Sequence, residues 1–239
     1  MFVKNHIQLD DVSSTNLYLR KLIKDKSINE NILVSTNYQE KGRGQRSNIW
    51  ESEKNMNILI SFLYVHPTNN YDLFKFNMLI SLAIYDFLYK YFKTGLKIKW
   101  PNDLMINNKK IAGVLIQNIE SNFKSIIGVG ININQKEFKN FSPQATSFSN
   151  ELNKEFNRNA LILELMNNFE NYLINYFQFN DLKNSYMLKI YKFKQQANFL
   201  NNLKEFKGEI MNFNSSGEII IKSGDEFLSF KNGEVKMIF

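Results

Sequence analysis

The sequence predicts an α+β protein in which a mixed β-sheet carries helices packed on one face and is followed by a small all-β domain. Three observations lead to this prediction. Apolar runs of strand length recur through the first 190 residues. Residues 71–92 and 159–177 repeat large apolar side chains at intervals of three and four, as buried helices do. From about residue 193 only short strand-like runs remain, separated by turn sequences.

Residues 6–65 alternate between strand and helix patterns. Strands are predicted at 6–12, 31–38 and 56–65, where apolar and β-branched residues cluster. A helix is predicted at 13–26, because apolar residues recur behind the polar start "SSTN". Ser13 or Ser14 can cap this helix by accepting a hydrogen bond from a backbone N–H.

Residues 96–120 indicate three consecutive strands. Pro101 disfavours helix at Trp100 and ends the first of them. The segment "INNKK" lies between two apolar runs and is typical of a hairpin turn. A further strand is predicted at 124–134, where the glycines of "GVGININ" indicate close approach of another backbone or a ligand. A last helix is predicted at 179–191.

The change of pattern places a domain boundary near residue 190, between residues 1–190 and residues 191–239. The second domain contains four short strand candidates, separated by the turn sequences "NSSG", "SGD" and "KNG". Short strands at this spacing are typical of a small barrel or sandwich.

Composition excludes several classes of protein. Hydrophobic residues make up 44% of the chain and charged residues 22%, so we expect a buried core rather than disorder. An apolar run of about 18 residues and a signal-peptide pattern are both missing, so we expect a cytoplasmic protein without a membrane partner. Cysteine is absent, which excludes disulfides, thiolate metal sites and a cysteine nucleophile. The net charge of +7 comes mainly from scattered lysines and indicates solvated surface.

The segment "YQEKGRGQRSNIWESE", residues 38–53, combines glycines with basic residues and an aromatic. Gly42 and Gly44 allow successive backbone N–H groups to point into one concavity, which suits an anion. Arg43 and Arg46 add planar donors that match phosphate or carboxylate. Trp50 can cover an apolar ligand or anchor the loop. By itself the segment also fits a mobile surface loop or an RNA-binding tract.

The segment "KIKWPNDLMINNKKIAGVLIQ" contains a second group of candidates. Lys99 stands at a strand end beside a Trp-Pro-Asn-Asp corner, and Lys110 opens the strand after the next turn. Because the two lysines flank a hairpin, both ammonium groups could reach one site. Asp103 could orient a lysine or hold Mg²⁺, and Gly113 leaves space. An ordinary hairpin with a Trp-Pro packing corner is the alternative.

The motifs "SSTN", "YQEKGRGQRSNIW", "KWPNDLMINNKKIAGVLIQ", "GVGININ" and "ATSF" follow one another in the order seen in biotin protein ligases, or biotin–[acetyl-CoA-carboxylase] ligases. The sequence resembles this family over about residues 7–235. The glycine loop together with Lys-Trp-Pro-Asn-Asp is specific, whereas either alone is not. The resemblance implies the biotin/lipoate ligase fold, which is class II synthetase-like, with an SH3-like β domain at the C-terminus.

The resemblance implies a two-step ligation with ATP and Mg²⁺. The biotin carboxylate attacks the α-phosphate of ATP, which gives biotinyl-5′-AMP and pyrophosphate. A lysine of the biotin carboxyl carrier protein of acetyl-CoA carboxylase then takes the biotinyl group. The first step brings two anions together, so cationic groups must offset their repulsion.

The resemblance also assigns roles to residues. Biotin would be held by Ser14, Thr15, Asn16, Gln39, Arg43, Gly44, Gln45, Lys99 and Gly113. ATP would be held by Arg43, Arg46, Trp50, Lys99, Asn102, Lys110, Asn132 and Ala145, with residues 145–148 bordering the adenine. Lys99, Arg43 and Lys110 would be catalytic, Lys99 through the carboxylate and α-phosphate. No resident metal is expected, although Asp103 could contact the Mg²⁺ of MgATP.

The sequence departs from the family pattern in three places. Gln45 stands where many members have a second arginine, and Ser47 where many have glycine. Gln45 keeps a donor but lacks a fixed charge, which bears on how firmly the adenylate is retained. The DNA-binding domain of the repressor-type members is not found ahead of residue 7, so we expect no DNA partner. Members often pair as homodimers, and such a dimer is an open expectation for this chain.

Two alternatives belong to other functional classes. A lipoate or octanoate ligase shares the fold and the acyl-adenylate chemistry, but lipoate ligases generally lack this glycine loop with a Lys-Trp-Pro-Asn corner. Octanoyltransferases need a cysteine nucleophile. A non-enzymatic RNA-binding protein would present aromatics on an exposed sheet, whereas Phe74, Phe169 and Tyr172 have the spacing of a helix core.

Overall fold

A computed structural model describes residues 3–26, 28–45, 48–68, 72–119, 124–139, 142–175 and 181–239. The main sheet contains β1 (Asn5–Val12), β2 (Ile32–Gln39), β3 (Ile58–Val65), β4 (Leu96–Lys99), β5 (Asp103–Ile106), β6 (Lys109–Ile119) and β7 (Lys124–Ile131). Their order across the sheet is β1-β2-β3-β7-β6-β5-β4. β1 and β2 are parallel and the other neighbours are antiparallel, so the predicted mixed sheet is confirmed.

The helices are α1 (Thr15–Lys26), α2 (Leu73–Tyr89), α3 (Phe148–Leu152), α4 (Arg158–Ile174) and α5 (Leu182–Lys189). All but the short α3 are predicted by the apolar spacing of the sequence. Asp72 caps α2, since its carboxylate accepts hydrogen bonds from the backbone N–H groups of Phe74 and Lys75. Within the described part of the chain, no helix is long and apolar enough to cross a membrane.

The helices lie on both faces of the main sheet. α2, α4 and α5 share one face, where Ile60 and Phe62 of β3 belong to the large core. α1 packs on the opposite face, where Leu63 of β3 joins Leu19 and Ile23 in a smaller core. The prediction of helices on one face therefore holds for α2, α4 and α5 and is corrected for α1. Successive side chains of a strand point to opposite faces of the sheet. Because β3 has apolar residues at successive positions, it can bury helices on both faces.

The hairpin between β5 and β6 turns at Asn107 and Asn108, whose φ angles are +48° and +66°. Asparagine tolerates this left-handed region better than most residues do, so "INNKK" forms the predicted turn. β4 ends at Lys99, directly before Trp100 and Pro101, as the proline predicts. This corner and hairpin bring Lys99 and Lys110 to the same end of the sheet.

Residues after 195 form a second sheet, with strands β8 (Gln196–Asn201), β9 (Lys204–Phe213), β10 (Ile219–Ser223), β11 (Glu226–Phe230) and β12 (Lys236–Ile238). The strands are antiparallel and run in the order β11-β10-β9-β8-β12. Four of them are predicted by the sequence, and β8 is not. The core continues from the first part of the chain into this sheet, since Phe213 of β9 packs against Phe74 and Tyr186. The domain boundary near residue 190 stays a prediction.

Candidate active site

A cleft of about 760 Å³ lies between the main sheet and the C-terminal sheet. It is lined by the candidates Ser14, Thr15, Asn16, Gln39, Arg43, Gly44, Gln45, Trp50, Lys99, Asn102, Asp103, Lys110, Gly113, Asn132 and Ala145. Arg46, an ATP candidate, and Ser47 lie outside the described residues. Motifs that are far apart in sequence therefore meet around one cavity of a size that suits a small ligand.

The floor of the cleft is formed by glycines on the central strands β6 and β7. An ideal Cβ atom on Gly130 would lie 2.4 Å from the ring of Trp50, and one on Gly113 would lie 3.1 Å from it. An ideal Cβ on Gly128 would lie 2.1 Å from Oδ1 of Asn16. The "GVGININ" glycines are places of close approach, but the approaching groups are the Trp50 indole and the Asn16 amide, which are side chains rather than the backbone or ligand that the sequence predicts.

One end of the cleft is lined with hydrogen-bonded polar side chains. Gln39 Oε1 accepts from the backbone N–H of Thr15 at 2.8 Å and from its hydroxyl at 3.0 Å. The Ser61 hydroxyl lies 2.7 Å from the Thr15 hydroxyl and 2.5 Å from Oδ1 of Asn16. Asn16 donates onward to Gln117 at 3.2 Å. These buried groups form a fixed set of donors and acceptors, which can orient a polar ring or carboxylate.

Residues 42–45 and 48–50, called the ligand loop here, pair with each other in antiparallel fashion beside the cleft. The backbone N–H of Gly44 donates to the carbonyl of Asn48 at 2.8 Å, and that of Trp50 to the carbonyl of Gly42 at 2.9 Å. An ideal Cβ atom on Gly42 would lie 2.3 Å from the Trp50 carbonyl oxygen, so the hairpin closes only with glycine at this position. Arg43 and Gly44 thereby border the cavity.

The indole of Trp50 has an unused donor. Its Nε1 atom is buried and lacks a hydrogen-bond partner among the described residues. A buried donor usually has a partner, so the indole N–H favours a ligand acceptor in the cleft. Lys110 Nζ lies 5.6 Å from the centroid of the same ring, which places a cation beside it.

Another part of the cleft contains a group of cations around Asp103. Lys110 Nζ lies 2.8 Å from one carboxylate oxygen of Asp103, and Lys99 Nζ lies 3.9 Å from the other. Lys236 of β12 also lines the cavity, and Lys99 Nζ lies 5.3 Å from the ring of Phe239. Three lysines against one aspartate leave an excess of positive charge, which suits an anionic ligand.

Lys99 is the most buried of these lysines. Its side chain is 17% exposed, against 28% for Lys110. Burial lowers the pKa of Lys99, Asp103 raises it, and the nearby charges of Lys110 and Lys236 lower it further. The net direction is below the ordinary lysine value, because an ammonium group loses solvation in this position. A bound anion would offset the lost solvation of the Lys99 ammonium group, so the site favours binding of an anion.

Neutralising Asp103 is expected to shift the pH dependence of activity. Asp103→Asn removes the contribution that raises the pKa of Lys99, so this pKa falls further. The ammonium form is lost as pH rises through the pKa. The alkaline limb of kcat/KM should therefore move to lower pH, with Asp25→Asn at an exposed position as the control. An unmoved limb with a uniformly lower rate and a higher Mg²⁺ requirement would instead indicate a Mg²⁺ contact at Asp103.

Two ATP candidates have structural partners. Asn132 is buried and donates from Nδ2 to the Thr146 carbonyl at 2.9 Å. Asn102 is also buried and bridges Gln45 and Asn77. Of the segment 145–148, Ala145 lines the cleft, while Phe148 begins α3 and packs in the core. The part of this segment that could border an adenine is therefore its first residue.

The C-terminal sheet contributes lining residues that the sequence does not predict. They are Phe199, Ile210, Ile219, Asn232, Gly233, Val235, Lys236 and Met237. They come from four strands and one turn that are distant in sequence from the motifs, so no local pattern marks them. Among the described residues, no group of three or more histidine, aspartate or glutamate side chains could hold a metal ion.

A cleft that joins a glycine-floored apolar slot and a fixed polar end to a cation cluster suits enzymes that activate a carboxylic acid at a phosphate. Residues 9–134, more than half of the chain, match the biotin/lipoate A/B protein ligase family. The chain belongs to this family.

Relatives and solved structures agree with this assignment. The chain is 26% identical over 246 residues to the "Bifunctional ligase/repressor BirA" of Bacillus subtilis (strain 168), covering 97% of this chain and 74% of that protein. It is 34% identical over 102 residues to "Biotin--protein ligase 2" of Arabidopsis thaliana, covering 40% of this chain and 30% of that protein. The fold is similar to that of biotin protein ligase from Aquifex aeolicus in complex with biotin and ATP. The TM-score is 0.81 at 24% identity, covering 98% of both chains.

Proposed function

We propose that this chain is a biotin–protein ligase that uses ATP to attach biotin to a lysine of the biotin carboxyl carrier protein. The observation that carries the proposal is that Lys99 and Lys110 line the same cleft as the Thr15–Asn16 polar network. Family membership supports it, as do relatives that are named biotin–protein ligases.

The residues fit the first half-reaction. Thr15, Asn16 and Gln39 would hold the ureido end of biotin, and the glycine floor would leave room for its apolar ring and chain. The carboxylate would then point toward Lys99. As it attacks the α-phosphate, the P–O bond to pyrophosphate breaks, and the ammonium groups of Lys99 and Lys110 offset the negative charge that gathers there.

In the second half-reaction the amine of the carrier lysine attacks the acyl carbonyl, and AMP leaves with the bonding electrons. No covalent bond to the enzyme is required, which agrees with a chain that lacks cysteine. Mg²⁺ would arrive with ATP, as part of the substrate. Its contact with Asp103 would require this carboxylate to exchange part of its pairing with Lys110. We place the reaction in the cytoplasm, where ATP and the carrier occur together.

ATP–pyrophosphate exchange with purified protein tests the proposal, with biotin and lipoate in parallel and Mg²⁺ present. Exchange that depends on biotin would support the first half-reaction. Exchange with lipoate alone would move the chain to the lipoate branch of the family. Exchange with neither acid, from folded protein, would contradict an adenylating role.

Gln45→Arg is expected to slow the release of biotinyl-AMP. The arginine can still donate to Asn102, but it cannot accept from Asn232 as Gln45 does. Its fixed charge opposite an anionic ligand should outweigh that loss, because charge-assisted hydrogen bonds are roughly twice as strong as neutral ones. Release can be followed as loss of radiolabelled adenylate from the protein after gel filtration. An unchanged release rate would show that residue 45 does not retain the intermediate.

A further inference from the structure

A chain of side-chain amides connects the C-terminal sheet to the ligand loop and to α2. Asn232 donates from Nδ2 to Oε1 of Gln45 at 3.1 Å, and Gln45 donates from Nε2 to Oδ1 of Asn102 at 2.8 Å. Asn102 donates in turn to Oδ1 of Asn77 at 3.1 Å. Asn232 and Gln45 are 187 positions apart in sequence, so their contact links two distant parts of the chain.

Both ends of the contact with Gln45 are held in place. Asn102 is only 2% exposed and bonds to α2 through Asn77. Asn232 lies in the tight turn between β11 and β12. There the backbone N–H of Glu234 donates to the Lys231 carbonyl at 3.0 Å, and the Glu234 carboxylate accepts from the Lys231 N–H at 2.8 Å. These two hydrogen bonds between Lys231 and Glu234 hold the turn on both sides of Asn232.

Gln45 suits the middle position because a neutral amide accepts at one atom and donates at another. Here it accepts from the C-terminal sheet and donates to the Trp-Pro-Asn corner. Gln45 also lies within the ligand-loop hairpin, where its backbone carbonyl accepts from the N–H of Asn48 at 3.2 Å. Fixing the Gln45 side chain therefore restrains the loop that borders the cleft.

We propose that Asn232 is a positioning residue that holds the ligand loop over the cleft through Gln45, so that the C-terminal sheet controls how long the adenylate stays bound. This inference rests on the proposed function. Asn232 does not touch the reacting atoms in this scheme. Its contribution is to slow opening of the loop between the two half-reactions, when a reactive acyl-adenylate must wait for the carrier lysine.

The test is the release rate of biotinyl-AMP from Asn232→Ala in the full-length chain. The enzyme is loaded with radiolabelled biotin and MgATP, the pyrophosphate is removed, and release is followed after a chase with unlabelled biotin. Loss of the neutral hydrogen bond between Asn232 and Gln45 corresponds to about a two- to tenfold faster release. The kcat of ATP–pyrophosphate exchange should fall by a smaller factor than the release rate rises, because the lysines and the polar network are untouched.

Asn198→Ala is the matched control, since Asn198 is an exposed asparagine on β8 of the same sheet. Gln45→Ala should release the adenylate at least as fast as Asn232→Ala, because it also loses the hydrogen bond to Asn102. The double variant should release it no faster than Gln45→Ala alone, because the Asn232 contact is already lost in that variant. Release from Asn232→Ala at the unaltered rate, with exchange intact, would overturn the inference. Additive effects in the double variant would also overturn it. Absence of biotin-dependent exchange in the unaltered protein would instead contradict the proposed function.

Discussion

Lys99→Ala is expected to lower ATP–pyrophosphate exchange by about a hundredfold to a thousandfold while biotin affinity falls by less than about tenfold. Removing one preorganised group that stabilises transition-state charge has effects of this size. The Lys99 ammonium is largely buried, and its pKa is lowered mainly by that burial. Its charge is therefore little screened by water, so it acts strongly on the charge that develops at the α-phosphate.

Two measurements separate this role from binding. Calorimetric titration with biotin alone gives ground-state affinity, and exchange at saturating biotin and MgATP gives the rate. Lys97→Ala is the control, because Lys97 is an exposed lysine on the same strand outside the cleft. Equal losses of affinity and rate in Lys99→Ala would contradict a transition-state role. Stability should not fall, because the variant removes a cation that burial disfavours.

Local patterns predict most elements of the fold for physical reasons that act over a few residues. Pro101 cannot donate to a strand ladder, so β4 ends before it. Asn107 and Asn108 accept positive φ angles, so the β5–β6 turn forms where the sequence indicates. The apolar spacing of α2 and α4 likewise reflects the period of the helix itself.

Other elements depend on contacts that local patterns do not record. Apolar spacing in α1 predicts a buried side, but it does not predict which face of the sheet receives it. β8 has the segment "QANFLN", in which only Phe199 is fully buried, so the apolar alternation is weak. α3 spans five residues, too few for a period, although Ser147 caps it and Asn153 ends it with a φ of +53°.

Some residues of the candidate site are likewise predictable from local sequence patterns, whereas others depend on tertiary packing. Gly128 and Gly130 are predicted from sequence as places of close approach, since glycine inside a strand usually has such a reason. Lys99 and Lys110 can be paired through the hairpin that separates them. The contributions of Asn232 and Lys236 require the C-terminal sheet to fold against the main sheet, and that depends on tertiary packing around Phe213.

Gly130→Ala is the second substitution for which we expect a large effect, through displacement of the Trp50 indole. Gly130 lies on the central strand β7, where it pairs with Leu59 of β3 and Gly113 of β6. Its backbone is therefore held on both sides and cannot easily withdraw. The added methyl group would meet the indole at 2.4 and 2.6 Å, distances that packed atoms do not keep. The indole must move.

Moving the indole should open the ligand loop, because Trp50 is also the residue that closes the hairpin onto Gly42. Overpacking of this kind costs about 1–3 kcal/mol, which corresponds to roughly a fivefold to 150-fold loss of biotin affinity. Calorimetric titration measures the loss, and a thermal melt checks that the sheet remains folded.

A smaller residue at position 50 tests the steric cause. Trp50→Leu alone should weaken binding, since it removes the cover of the slot. In that background Gly130→Ala should cost less than about threefold more, because the clash is gone. If the two substitutions instead reduce affinity independently, Gly130 is needed for the backbone of β7 and not to avoid a clash with the Trp50 indole. Non-additive effects of the two substitutions would show that Gly130 is needed because the Trp50 indole lies against it. This contact between glycine and indole forms the floor of the cleft.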